Sequence, residues 1–103
     1  MTRYSKQTRI LIAVDCIIFG FDGQEMKLLL IKRSFEPERG KWSLMGGFVQ
    51  PGESFENAAA RVLKQLTGLG NVYMEQLFAF SEPNRDPMER TASIAFFSLI
   101  DIH

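Results

Sequence analysis

Only one stretch of this chain carries a helical period, and it is short. Phe55, Ala58, Ala59, Val62, Leu63 and Leu66 recur at the spacing that lines one side of a 3.6-residue turn. Ser54 stands before the stretch as an N-cap, Glu56 suits the positive first turn, and Gly68 follows as a left-handed closing residue. A helix is therefore expected over 55–67. The centre of the stripe falls at Val62 and Leu66, so these two side chains are expected to face a core, with Arg61 and Gln65 bordering them.

The remaining apolar runs read as strands. "ILIAVDCIIFGF" is rich in β-branched residues and ends at "FDGQE", where Asp22 and Gly23 suit a tight turn into "MKLLLIKR". "SFEPERGK" supplies a polar loop with Pro37 and Gly40, and "WSLMGGFV" reads as short extended pieces broken at Gly46-Gly47. The turn "QPGE" precedes the helix, and two further strands are expected over Asn71 to Phe80 and Thr91 to Ile100. The apolar runs are nearly continuous, which predicts strands covered on both faces within a layered α/β domain. Between the last two strands, "SEPNRDPMER" is longer than a usual hairpin loop, and long connections on a rigid scaffold often carry binding groups.

Composition narrows the functional classes. With 103 residues, 46% of them hydrophobic and 23% charged, one globular domain is expected, with a core that needs no staples. Twelve basic residues balance twelve acidic ones, so the positive excess of a nucleic-acid or anionic-membrane binder is missing. Cys16 is the sole cysteine, which rules out an internal disulfide, and its apolar surroundings make it a small buried hydrophobe. The amino-terminal apolar run is interrupted by Asp15, lacks a small-residue cleavage site and falls short of the ~20 residues a membrane helix requires. A cytoplasmic protein without a membrane partner is expected. The scattered methionines read as core fillers, and terminal His103 is assigned no role.

"GGFVQPGESFENAAARVLKQLTGL" resembles the Nudix box, in which Gly, five residues, Glu, seven residues, Arg-Glu-apolar-any-Glu-Glu, any, Gly and apolar occur in fixed register. Gly47, Glu53, Arg61, Leu63, Gly68 and Leu69 match, and "LLLIKRSFEPERGKWSLMGGFV" is also similar to the family. The resemblance implies a Nudix-like α/β/α sandwich with a mixed β-sheet over residues 1–103, truncated at its C-terminus. It also implies a structural role for Gly47, Glu53, Arg61 and Gly68, with Glu53 orienting the box through Arg61. In Nudix hydrolases the box acids hold a divalent metal, usually magnesium, against a diphosphate, because a hard cation takes oxygen ligands and helps activate water. Here Val62, Gln65 and Leu66 occupy the three acid positions. No catalytic residue, metal or cofactor is therefore expected at this helix.

The degenerate box, together with "DCIIFGF", "WSLMGGFVQ", "NVYMEQ" and "RDPMERTASIAFF", is most similar to Nudix-related transcriptional regulators. That resemblance implies a catalytically inactive, homodimeric ligand-sensing domain for a small-molecule effector. The effector is an ADP-ribose-like nucleotide or a sugar such as arabinose, and DNA is reached only through a winged helix absent from this chain. The alternative is a divergent hydrolase of nucleoside diphosphate derivatives, with Glu82, Asp86 or Glu89 holding magnesium. Candidate ligand contacts are Arg85, Asp86, Glu89 and Arg90 in the long loop, which otherwise form a solvated loop with a local ion pair. Trp42 is a stacking candidate or a core residue. Gly46 and Gly47 either admit a ligand to the backbone or permit an unusual turn before the helix.

Overall fold

The computed structural model describes residues 4–32, 39–83 and 89–102. Pro37, Arg85, Asp86 and His103, singled out above, lie outside the described residues. The element order is β1 (Leu11–Phe21), β2 (Met26–Leu29), β3 (Ile31–Lys32), β4 (Trp42–Ser43), β5 (Met45–Phe48), α1 (Phe55–Thr67), β6 (Glu75–Phe80) and β7 (Thr91–Asp101). β1 and β7 lie at the middle of a mixed five-stranded sheet and run parallel from Leu11 beside Thr91 to Phe21 beside Asp101. β2 and β5 pair antiparallel with β1, and β6 pairs antiparallel with β7. β3 and β4 form a separate two-stranded ribbon. The described residues thus supply the sheet and one helical layer of an α/β sandwich.

Local chemistry accounts for the turns. At the β1–β2 hairpin the Asp22 Oδ1 accepts from the backbone N–H groups of Gln24 and Glu25, at 2.9 and 2.8 Å, while Gly23 takes a positive φ of 99°. Those donors, with the Lys27 ammonium at 3.3 Å, hold the Asp22 carboxyl down to about 2. Ser54 caps α1 as expected, its Oγ accepting from Asn57 N–H at 3.0 Å. Gly68 closes the helix at φ 79°, donating its N–H to Lys64 O at 2.8 Å.

The core lies between α1 and the sheet. Val14, Cys16 and Ile18 of β1, Met45 of β5, and Ile94 and Phe96 of β7 meet Ala58, Ala59, Val62 and Leu63 of α1. Burial pushes the Cys16 thiol up to about 11, with the neighbouring Asp15 charge adding to the shift, so the group stays a neutral, inert thiol. The opposite sheet face meets the expectation of cover on both sides only in part, since Thr91, Ser93 and Ala95 are buried there but the residues towards its other end are not. Phe19 and Phe21 of β1 pair with exposed Leu28 and Met26, and exposed Phe78 and Leu99 continue this apolar face on β6 and β7. Among the described residues no helix packs there, and none is long and apolar enough to cross a membrane.

Two other expectations about packing are corrected. Val62 is buried at 3% exposure, but Leu66 is 42% exposed and does not face the core. Its azimuth on the helix is right; its height is not, because it sits in the final turn, past the buried span Ala58–Leu63 that the sheet supports. Trp42, read as a core residue if not a ligand contact, is 66% exposed on the two-stranded ribbon.

The difference between the two helix positions is measurable. Val62→Glu would place an unpaired carboxylate in the core and should cost at least ~3 kcal/mol of unfolding free energy. Leu66→Glu should cost less than ~1 kcal/mol, as surface substitutions do. Urea denaturation of both variants checks this; equal losses would mean that the last turn is buried after all.

Candidate functional site

The site is built around a loop that connects the sheet to the helix. Val49 N–H donates to Ile12 O at 2.8 Å, which fixes the start of the loop to β1. The chain then reverses through Gln50-Pro51-Gly52-Glu53. Glu53 N–H returns to Gln50 O at 3.0 Å and Gly52 takes φ 90°, the conformation a turn with proline second and glycine third requires. The turn brings the Glu53 carboxylate back over its own beginning, where Oε1 accepts from Gln50 N–H at 2.8 Å.

Arg61, on the second turn of α1, completes the arrangement. Its Nε donates to Glu53 Oε2 at 2.6 Å and its Nη2 to Glu53 Oε1 at 3.0 Å, the bidentate fork that a planar guanidinium makes with a carboxylate. Nη2 also donates to Phe48 O at 2.7 Å, and Nη1 to Gln65 Oε1 at 3.2 Å. One side chain therefore joins the end of β5, the loop and the later turn of the helix. The Arg61 guanidinium, with the Gln50 N–H, holds the Glu53 carboxyl below the usual glutamate range, and Glu53 raises Arg61 in return.

Two of the three positions that carry acids in the Nudix box do structural work here. Val62 packs onto Gly47, where a Cβ would come within 2.8 Å of the valine Cγ2. Gln65 is committed to Arg61. Leu66 offers only carbon to solvent. This donor set does not fit a hard cation, since two of the three side chains contain no oxygen. Among the described residues no group of three His, Cys, Asp or Glu side chains comes together elsewhere.

Gly46 and Gly47 both lie within β5, not in an unusual turn, and each makes room for a side chain of this same chain. A Cβ on Gly46 would meet Asp15 Oδ1 at 2.8 Å, as one on Gly47 would meet Val62. Glu89 and Arg90 stand at the entrance to β7, and Arg90 Nη1 donates to Ser81 O at 2.8 Å. They share a cleft of about 330 Å³ with Arg9, Ile10 and Leu11. Trp42, in a different sheet, is not among the residues lining this cleft. A second cleft, about 360 Å³, follows α1 past Lys64 to Asn71 and Met74. Arg9 was missing from the sequence-derived candidates, and no local signal marks it: only the parallel pairing of β1 with β7 brings it beside residues eighty positions away.

Comparison with known proteins agrees with this geometry. The model of the NUDIX domain matches residues 9–101. The ADPR responsive transcriptional repressor NtrR of Acinetobacter baylyi is 34% identical over 93 residues, covering 88% of this chain and 37% of that protein. The ADP-ribose pyrophosphatase of Methanocaldococcus jannaschii is 42% identical over 85 residues, covering 82% of this chain and 48% of that protein. The chain thus spans less than half the length of either relative. Among solved structures, the NUDIX domain of Shewanella oneidensis NrtR complexed with ADP ribose superposes with a TM-score of 0.88 at 29% identity, over 99% of this chain and 68% of that one. A MutT/nudix family protein from Enterococcus faecalis gives 0.89 at 31% identity, over 96% and 40%.

The Glu53–Arg61 clamp should make stability depend on pH in a defined direction. Because the folded carboxyl titrates below its unfolded value, its contribution is fully present above the ordinary glutamate range and is lost as pH falls through the lowered folded value. Wild type should exceed Glu53→Gln in urea midpoint at about pH 7, and the gap should close as pH falls below the ordinary glutamate range and through the lowered folded value. A gap that stayed constant across this range would show that the charge on Glu53 is not what stabilises the loop.

Proposed function

The chain belongs to the Nudix family, and on that premise we propose that it is the ligand-sensing domain of a transcriptional regulator, binding an ADP-ribose-type nucleotide sugar without hydrolysing it. The observation that carries this reading is the fate of the acid positions. Val62 is a core residue on Gly47 and Gln65 a partner of Arg61, so both are committed to holding the domain together. A domain that keeps the Glu53–Arg61 scaffold while lacking the metal-holding acids has retained the shape of the site without the means to activate water.

The choice of ligand draws on two relatives whose chemistry differs. One is a repressor that responds to ADPR and the other an ADP-ribose pyrophosphatase, so the same ligand type accompanies both regulation and hydrolysis. A nucleotide sugar also offers what the site can recognise without metal, namely phosphate oxygens for arginine and hydroxyls for carboxylates. Contact with DNA belongs, in this reading, to a part of the regulator outside these 103 residues, since the balanced charge of the chain supplies no phosphate-binding excess.

The identity of 42% with a pyrophosphatase favours one rival reading, a hydrolase with its metal held elsewhere. Calorimetric or fluorescence thermal unfolding with ADP-ribose in EDTA, followed by a search for AMP release with magnesium or manganese, separates the two. At a ligand concentration near 100 times Kd, stabilisation of ~2.7 kcal/mol is expected, with no AMP formed. Steady AMP release, or no stabilisation without metal, would overturn the sensor reading.

Self-association belongs to the same proposal. Exposed Met26, Leu28, Phe78 and Leu99 give the sheet face away from α1 an apolar surface of the kind that interfaces bury. Sedimentation equilibrium should return twice the 11.8 kDa of one chain; a monomer at concentrations of about 100 μM would remove dimerisation from the reading.

A further inference from the structure

The clamp does not use every donor of Arg61, and it fixes the donors of its neighbour. A guanidinium carries five N–H groups and no acceptor. Four have partners: Nε on Glu53 Oε2, the two of Nη2 on Glu53 Oε1 and Phe48 O, and one of Nη1 on Gln65 Oε1. The second N–H of Nη1 has no partner among the described residues.

The direction of the Gln65 amide follows from the same bond. Arg61 can only donate, so the atom that meets Nη1 at 3.2 Å is the glutamine oxygen. Both N–H groups of Gln65 Nε2 are therefore turned off the guanidinium. The side chain is exposed, and Nε2 has no acceptor among the described residues. Arg61 and Gln65 are one helical turn apart, which places this pair on the surface of α1 beside the loop that Glu53 closes. Phe48 O also accepts from Gln50 Nε2 at 3.4 Å, so a second primary amide meets the carbonyl that Arg61 holds.

We propose that Gln65 Nε2 donates directly to a phosphate oxygen of the nucleotide sugar, with Arg61 as the positioning residue that sets the direction of the amide. This contact rests on the nucleotide-sugar reading above and deepens it by naming the group that meets the phosphate without metal. A carboxylate at position 65 would repel a phosphate unless a cation lay between them. An amide of the same size presents N–H in place of one oxygen and engages the phosphate with nothing between. The charge on the phosphate oxygen strengthens such a bond over one to a neutral acceptor. Exchange of the acid for glutamine thus removes a metal ligand and supplies a phosphate donor at one position.

Isothermal titration in EDTA with ADP-ribose, inorganic pyrophosphate and adenosine tests the contact in two variants. Gln65→Glu keeps an acceptor for Arg61 and loses the donor, whereas Gln65→Met loses both and adds no charge. Each should weaken ADP-ribose and pyrophosphate at least about tenfold, the loss of one hydrogen bond to a charged group. Adenosine binding should change less than about twofold. The thermal midpoint of Gln65→Glu should not fall below that of the wild type, since Arg61 keeps its partner. A residue that served only to tie Arg61 would lose binding in Gln65→Met and keep it in Gln65→Glu, and that pattern overturns the contact. ADP-ribose affinity of Gln65→Met equal to the wild type overturns it as well, and leaves the ligand reading standing. Pyrophosphate binding that depends on Gln65, without any binding of ADP-ribose, supports the contact and removes the ligand reading. If the wild type binds neither, both fall.

Discussion

The Arg61 guanidinium is the joint on which the rest of the site depends. A loop that leaves a sheet and enters a helix needs its ends tied together, and here one side chain ties them. It engages both oxygens of Glu53, the carbonyl that ends β5 and the amide of Gln65. The pair is partly buried, at 31% and 19% side-chain exposure, so it is screened less than a surface ion pair yet avoids the full cost of desolvation. Lysine could not replace it, because a compact ammonium lacks the planar fork that reaches four acceptor oxygens on three residues. The clamp needs none of the acids at the three box positions, which is why the shape of the box persists with Val62, Gln65 and Leu66 in their place.

Close approach of α1 to the sheet has a second requirement, met by small residues on both sides. Ala58 and Ala59 face the strands with no more than a methyl group each, and Gly47 offers bare backbone to Val62. Larger residues at these positions would lift the helix and lengthen the reach from Arg61 to Phe48 O. The valine at the first acid position is thus coupled to the clamp through the height of the helix above β5. Packing and polar geometry are set by the same few side chains.

What was legible in the sequence was whatever is decided locally. Ser54, the Pro51-Gly52 turn, the helix bounds and the Gly68 cap each follow from residues within one turn of one another, and all are found as expected. The Glu53–Arg61 pair was also legible, because it spans eight positions in a motif of fixed register. Leu66 was misplaced since a helical wheel reports direction and says nothing of where the underlying sheet ends. β6 begins at Glu75, not Asn71, because Asn71 takes a left-handed φ of 56° that breaks the extended chain. The same strand is irregular between Gln76 and Phe78. Arg9 could not be found at all, for its neighbours arrive through a parallel pairing of the first strand with the last.

The electrostatics of α1 favour a domain that folds without metal. Carboxylates at 62, 65 and 66 would crowd the last two turns of the helix, where the carbonyl ends already carry partial negative charge, and would repel one another as well. In a hydrolase a divalent cation offsets that arrangement, so the box is complete only when loaded. Here the same turns carry Val62, Gln65 and Leu66, with Lys64 placed favourably against the helix dipole. The helix is stabilised by its own residues, and no cation is needed to relieve it. The proposed sensor role matches a helix preformed in this way, because such a domain needs no cation before it meets its ligand.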